Sequence, residues 1–329
     1  MLFVDNEQQT DPRVNLAIEE HLLRHFATDD EILLFYINEP SIIIGRNQNT
    51  LEEINEPYVC EHGIHVVRRL SGGGAVYHDL GNLNFSFITP YHKGTPQDFE
   101  HFTRPVIRVL REMGVPAELS GRNDILVNGR KISGNAQYRT ADRMFSHGTL
   151  LFDTTLRDVV ESLNVSQSKI TSKGLKSVRS RVANISEFLD EPMATPEFRA
   201  RVLRGIFRDA EEIPQYHLTE DDWTQIRQIK AERYDRWEWN YGRSPQFNVQ
   251  HSKRFPTGEV DVRIDVQQGI IQGAKIYGDF LGNGDVADIE ARLLGVRYDR
   301  DALEEALDGL DTCAYLGGVD CEAFLELIY

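Results

Sequence analysis

Behind Asp11-Pro12, Val14, Ile18, His21, Leu22 and Phe26 recur at helical spacing. Asp11 is a good N-cap and Pro12 fits the first turn, so the spacing predicts an amphipathic helix over 12–27. The apolar, β-branched runs Ile32–Ile37 and Ser41–Gly45 flank Asn-Glu-Pro and read as two buried strands joined by a turn. Ile64–Arg68 and Asn84–Thr89 are further strands. Phe99, Phe102, Val106, Val109, Leu110 and Met113 share one face of a helix over 97–113. Asn128-Gly129 lies between two β-type runs and takes positive φ readily, which predicts a tight hairpin. Gly148–Phe152 reads as a strand and Thr155–Leu163 as the start of a helix.

Strands and helices follow one another without a regular βαβ rhythm, which points to an α+β fold. A boundary falls near Arg243-Ser-Pro. After it Val260, Val262, Ile264 and Val266 alternate strictly, Gln268-Gly269 turns, and Ile271–Tyr277 returns. Helical patterns follow at Val286–Leu294, Asp301–Leu307 and Asp320–Ile328. The expected organisation is a large mixed-sheet domain over 1–244 and a smaller α+β domain over 245–329.

Of 329 residues, 40% are hydrophobic and 27% charged, the balance of a globular domain protein. No apolar run approaches the ~20 residues that cross a bilayer. Met1-Leu-Phe-Val-Asp has no basic flank or cleavage site, so no secretory signal is expected. The three cysteines, Cys60, Cys313 and Cys321, form no C-x-x-C pair and fit a reducing cytoplasm. With 52 acidic against 36 basic residues the net charge is −16, which disfavours nucleic acid as a partner. Against that background the basic clusters Arg68-Arg69 and Lys173–Arg181 stand out.

Four segments carry candidate chemistry. In Arg68–Asp79, three consecutive glycines, Gly72, Gly73 and Gly74, bare the backbone N–H groups to a ligand, and two arginines add charge suited to phosphate or carboxylate. The run lacks both G-x-x-x-x-G-K-[ST] and G-x-G-x-x-G. A plain hairpin tip would have the same composition. In Gly121–Ala136, Lys131 sits on the outgoing strand of the hairpin, where a mobile point charge suits an α-phosphate or a reacting carboxylate, or simply water. Ser146–Asp153 places His147 before a buried strand, a setting that also suits a hydrogen-bonded core histidine. Lys173–Asn184 holds four basic residues in nine, as either an anion site or a solvated face.

The order and wording of these blocks resemble the lipoate–protein ligase A family. The matching blocks are Arg68–Asn82, Gly121–Asp124, Arg130–Ala136, His147–Leu151 and Val178–Ile185. Asp11–Glu20, Ile44–Asn49 and Trp237–Gly242 read the same way, so the resemblance spans essentially the whole chain. It implies a catalytic domain of the biotin/lipoate ligase type, a small accessory domain, and a two-step reaction serving lipoate salvage. Lipoate and Mg-ATP would give lipoyl-AMP and pyrophosphate. The lipoyl group would then pass to a lysine of an acceptor, a 2-oxoacid dehydrogenase E2 lipoyl domain or the glycine-cleavage H protein.

By the same resemblance Arg69, Gly74, Ala75, Val76 and Tyr77 bind ATP, and Lys131 is the catalytic lysine contacting both lipoate and the adenylate phosphate. Gly72 and Gly73 flank the lipoate pocket. His78, Asn123, Asp124, His147, Thr149 and Arg179 are neighbours of the site, with Asp124 a candidate ligand of Mg²⁺. A transferase of the same fold would need a cysteine nucleophile beside the pocket. Neither Gly121–Asp124 nor Lys131–Ala136 contains one. A biotin ligase is disfavoured by the wording of the glycine run. A non-catalytic acyl-carrier binding protein would have lost Arg69, the glycines or Lys131, and all are present.

Overall fold

The computed structural model describes residues 1–26, 28–91, 98–163, 181–208, 210–241, 249–267 and 269–329. The chain divides into two compact units. One comprises Met1–Ile43, Leu51–Val67 and Val76–Asn240, the other Ile44–Thr50, Arg68–Ala75 and Tyr241–Tyr329.

The elements of the first unit run β1 (Leu2–Asp5), α1 (Pro12–Arg24), β2 (Ile32–Ile37), β3 (Ser41–Ile44), α2 (Thr50–Glu53), α3 (Glu56–Glu61), β4 (His65–Arg68), β5 (Val76–His78), β6 (Asn82–Pro90), α4 (Phe99–Glu112), β7 (Ala117–Ser120), β8 (Asp124–Val127), β9 (Arg130–Arg139), β10 (Arg143–Leu151), α5 (Leu156–Glu161), α6 (Thr195–Ile206), β11 (Gln215–Tyr216), α7 (Glu220–Ile229) and α8 (Trp237–Asn240). The main sheet has eight strands in the order β11-β1-β2-β6-β10-β9-β8-β7. β1 runs parallel to β11 and β2, and the other ladders are antiparallel.

Side chains alternate across the sheet, so one parity of each strand builds the core. Leu33 and Phe35, Leu83, Phe85 and Phe87, and Met144 and Leu150 join Phe102, Val106 and Leu110 of α4 and Phe198 and Val202 of α6. The opposite parity of β10 carries His147 and Thr149. The first two expected strands form and are buried, β2 and β3 being joined by the expected turn and belonging to different sheets. Pro40 has no N–H for a ladder, and its carbonyl accepts from the His65 N–H instead. β3 then lies between β4 and β5 in a three-stranded sheet.

Helix α1 stops at Arg24 rather than 27. It buries three consecutive polar residues, Glu19, Glu20 and His21. Their cost is offset by partners. Glu20 receives Arg24 and the Tyr234 hydroxyl, and the His21 Nε2 meets Asp222 at 2.9 Å. Burial pushes the Asp222 carboxyl up, but hydrogen bonds from Thr219, Tyr216 and His21 outweigh it and hold it at about 2. A carboxyl with a depressed native pKa stabilises the fold above its unfolded value and loses that contribution as pH falls through the native one. Asp222→Asn is therefore expected to remove about 1–2 kcal/mol at neutral pH and to flatten the loss of stability between roughly pH 4 and pH 2. Urea titrations of both proteins across that range check it. Equal slopes would contradict the assignment.

The second unit contains a three-stranded sheet, β12 (Val249–Phe255), β13 (Gly258–Gln267) and β14 (Ile270–Gly278), and the helices α9 (Val286–Leu293), α10 (Arg300–Leu307), α11 (Thr312–Tyr315) and α12 (Cys321–Ile328). The alternating Val260, Val262 and Ile264 pack with Ile271, Ile276, Ile289, Leu303 and Phe324. Gly269 has a φ of 77°, as the expected turn requires. Gln268 lies outside the described residues, as do Arg243-Ser-Pro and Gln97. Among the described residues no helix is long and apolar enough to cross a membrane.

Candidate active site

Asn128 and Gly129 have φ values of 51° and 76°, and Val127 pairs with Arg130 across them, so the predicted two-residue hairpin forms. Lys131 follows the turn by one residue. The register then slips: Leu126 faces Lys131 while Ile125 faces Ser133, which leaves Ile132 as an extra residue in β9. Ile132 points into the core. The Lys131 backbone is clasped on its far side, donating to the Arg181 carbonyl at 2.6 Å and accepting from the Ala183 N–H at 3.0 Å. Its Nζ meets Asp124 Oδ1 at 2.8 Å, with both side chains 37% exposed. A Cβ on Gly134 would lie 2.9 Å from this Nζ, so glycine leaves room for the ammonium.

The strands around the hairpin are joined by amides. Asn123 Nδ2 donates to the Asn135 carbonyl at 2.6 Å, and Asn135 Nδ2 donates to the Asn123 carbonyl at 2.9 Å. Thr149 Oγ1 accepts from the Gly134 N–H at 3.2 Å. A Cβ on Gly148 would sit 2.1 Å from Asn135 Oδ1 and 2.6 Å from Phe85, so only glycine fits between Asn135 and the core ring. His147 Nδ1 lies 3.0 Å from Glu19 Oε1. Asn123, His147 and Thr149 therefore have framework partners, and Lys131 and Asp124 are the half-exposed charges.

β5 carries Val76, Tyr77 and His78 and pairs with β3. Asp158 of α5 accepts from the Tyr58 hydroxyl at 2.9 Å and from the Tyr77 hydroxyl at 3.3 Å. Burial, with the nearby Asp79 and Asp158 charges, pushes the Tyr77 phenol up, so it remains a donor. Asp79 accepts from the Gly81 and Thr155 N–H groups and closes the following turn.

The glycine run belongs to the second unit. The Gly73 φ of 89° calls for glycine, and a Cβ on Gly72 would lie 2.6 Å from the Phe280 carbonyl oxygen. Arg69 is buried and donates to Ser71 Oγ at 3.0 Å and to the carbonyls of Gly72 at 2.6 Å and Gly74 at 2.9 Å. Arg68 donates to the carbonyls of Gly45, Arg46 and Gln48 and to Thr50 Oγ1. Burial lowers its guanidinium to about 10. The expectation of two arginines offered to an anion is thus modified, since both brace loop carbonyls. Nothing in the local sequence distinguishes a bracing arginine from a ligand-facing one.

The structure brings Asn123, Asp124, Lys131, His147 and Thr149 onto the neighbouring strands β8, β9 and β10 or the turn leading into them. It sets Val76, Tyr77 and His78 on another sheet of the same unit, and Arg69, Gly72, Gly73, Gly74 and Ala75 in the second unit. Arg179 and most of Lys173–Arg181 lie outside the described residues. Among the described residues no group of three His, Cys, Asp or Glu side chains could hold a metal ion. Sequence reasoning missed Glu19 and Asn135. Their signal was faint, a charged residue on the apolar face of α1 and an amide inside a strand.

Residues 11–207 match the family model of the lipoyl protein ligase A/B catalytic domain, and 244–328 match that of the bacterial lipoate protein ligase C-terminus. The chain is 58% identical to lipoate-protein ligase LplJ of Bacillus subtilis (strain 168), covering 100% of both. Among solved structures it resembles the bipartite lipoate protein ligase of Thermoplasma acidophilum, described with its E2 lipoyl domain. That match has 31% identity, covers 75% of this chain and 98% of the other, and has a TM-score of 0.64. It also resembles lipoate-protein ligase A bound with ATP, at 30% identity, 74% and 97% coverage, and a TM-score of 0.62. The hairpin lysine, the braced glycine run and the α+β architecture thus occur in a chain that matches such enzymes along its length, and it belongs to the lipoate–protein ligase family.

Proposed function

We propose that this chain couples the cleavage of ATP to AMP and pyrophosphate to lipoylation. Lipoate would attack the α-phosphorus of ATP to give lipoyl-AMP and pyrophosphate, and the ε-amine of an acceptor lysine would then displace AMP. The observation that carries this reading is Lys131. A flexible ammonium at the mouth of a fixed hairpin can follow charge from the carboxylate to the adenylate phosphate. Its partner Asp124 is the one carboxylate bonded to it in the described structure. Mg²⁺ with a nucleotide is commonly held by one or two carboxylates plus phosphate oxygens, and Asp124 fits that donor set. Bound Mg²⁺ would supply charge neutralisation at the phosphates. Arg69, by holding the Gly72 and Gly74 carbonyls, fixes the path of the glycine loop.

Residues 1–244 are proposed as the catalytic domain and 245–329 as the accessory one. The acceptors are E2 lipoyl domains of 2-oxoacid dehydrogenases and the glycine-cleavage H protein, and the compartment is the cytoplasm. The T. acidophilum ligase described with an E2 lipoyl domain supports that acceptor class. The test is pyrophosphate release from Mg-ATP on adding lipoate, followed by the mass of an isolated lipoyl domain. Lipoate-dependent release and a lipoyl mass increment are expected. No release at any Mg²⁺ concentration would sink the ligase reading, and acyl transfer without ATP would favour a transferase.

A further inference from the structure

The outer faces of α4 and α6 carry arginine in two regular stripes. On α4, Arg104, Arg108 and Arg111 recur at i, i+4 and i+7. Along α6 and just past it, Arg201, Arg204 and Arg208 recur at i, i+3 and i+7. Such spacings return to one side of a helix. The two helices press together at Gly205, where a Cβ would lie 2.6 Å from a Val109 methyl, so the stripes run side by side. Arg108 Nη2 crosses to the Gly205 carbonyl at 3.0 Å, and Arg208 Nη1 reaches Glu112 Oε1 at 3.4 Å. Three glutamates pair with the set: Glu100 with Arg104, Glu197 with Arg201, and Glu112 with Arg108 and Arg208. Six arginines against three glutamates leave +3 on a chain whose net charge is −16. Arg204 is exposed and has no bonded partner among the described residues. Arg111 gives its Nε to the Ala117 carbonyl at 2.7 Å. Arg104, Arg108 and Arg111 line a groove of about 340 Å³ together with Glu112 and the buried Ile107.

We propose that this face docks an acidic helical segment of a protein partner. Arginine's planar fork matches a carboxylate two hydrogen bonds at a time, and all six cations here are arginine. Four helical residues advance about 6 Å and seven about 10 Å, so carboxylates at i, i+4 and i+7 of a partner helix meet successive arginines of a stripe. Ile107 gives such a helix an apolar contact between the charges. A nucleic acid fits less well. Its phosphates are negative throughout, and Glu100, Glu112 and Glu197 would repel them, whereas a protein can set a basic residue opposite each glutamate. The charge of the rest of the chain acts weakly here, because charges beyond about 8 Å are screened at physiological salt. The face also stands apart from the candidate chemistry. α4 and α6 pack on the side of the main sheet that holds Met144 and Leu150, and His147 and Thr149 project from the other. A partner held there leaves the candidate site open, so the docking is independent of the ligase reading.

The probe is a fluorescein-labelled, alanine-based peptide of about 20 residues, long enough to be helical alone, with Glu at i, i+4 and i+7 and one Leu between them. Its glutamine counterpart and an oligouridylate RNA are the controls. Fluorescence anisotropy with the full-length protein at low salt should show binding of the Glu peptide and none of the Gln peptide, weakening as salt is raised. Arg104→Glu combined with Arg204→Glu sets like charges against the peptide and should weaken binding by roughly tenfold or more. Lipoate-dependent pyrophosphate release should be the same in wild type and variant, with or without the peptide. No binding of the Glu peptide at low salt, equal binding by the variant, or inhibition of pyrophosphate release by the peptide would each overturn the proposal. So would RNA that binds more tightly than the Glu peptide and is lost in the variant, which would make the face a nucleic-acid surface. Should the variant not fold, the ¹⁵Nε signals of the wild-type arginines locate the peptide, and shifts confined to residues outside α4 and α6 would overturn the assignment. Binding is read without lipoate or ATP, so it is decided separately from the ligase reading.

Discussion

Replacing Lys131 by alanine is expected to lower lipoate-dependent pyrophosphate release by on the order of 10²–10³, about 3–4 kcal/mol, the loss seen when one preset donor is removed from a developing oxyanion. The fold should survive. The interactions that hold this part of β9 come from the Lys131 backbone, through the Arg181 carbonyl and the Ala183 N–H, and alanine retains both. What is lost in the ground state is a half-exposed ion pair with Asp124, worth at most about 1 kcal/mol. Thermal unfolding and a burst assay for the adenylate separate the two effects. Full activity in Lys131→Ala would remove this side chain from the mechanism. A collapse in Tm with the activity would make it structural.

Gly45→Ala should produce the second large loss, by a different route. A Cβ at Gly45 would lie 1.9 Å from the carbonyl oxygen of Gly73 and 2.9 Å from its carbon. Backbone cannot yield as a flexible side chain does, so the glycine run must move. The Gly45 carbonyl also accepts from Arg68, and its N–H donates to Gln48 Oε1, so the displacement reaches the brace itself. Overpacking of this kind costs about 1–3 kcal/mol in stability. The effect on pyrophosphate release should be larger, because a misplacement of about 1 Å at a reacting centre can cost on the order of 10²-fold. Steady-state kinetics showing that loss with Tm lowered by only a few degrees would bear this out. Wild-type kcat and KM values for both lipoate and ATP would show that the loop position is immaterial.

The features legible in the sequence were those fixed by short-range rules. Asn128-Gly129 dictates its own hairpin, the alternation of Val260, Val262 and Ile264 dictates a one-sided strand, and Asp11-Pro12 dictates a helix start. Strands buried on both faces were harder to delimit. β10 extends from Arg143, well before the Gly148 at which its apolar run begins, because Ser146 and His147 are buried polar residues with partners elsewhere in the chain. The candidate site was readable as a set of blocks through the family resemblance. The roles of the arginines were not, since Arg68 and Arg69 bond to carbonyls whose positions only the folded loops define. Nor could the hydrogen bonds that link Asn6 to Asn15, Asn15 to Asn38 and Asn38 to His78 be foreseen, since these residues come from four separate segments.

The second unit is discontinuous, and this has a bearing on biosynthesis. The Gly73 N–H meets the Phe280 carbonyl, and the Gly278 N–H meets that of Asn47. These partners are separated by about 200 residues, a span whose closure is entropically costly and slow. A ribosome emits the amino-terminal sheet long before it emits β14. The nascent chain can assemble its eight-stranded sheet while the glycine run still lacks these later supports, so the glycine run takes its final shape only after β14 and Phe280 have emerged.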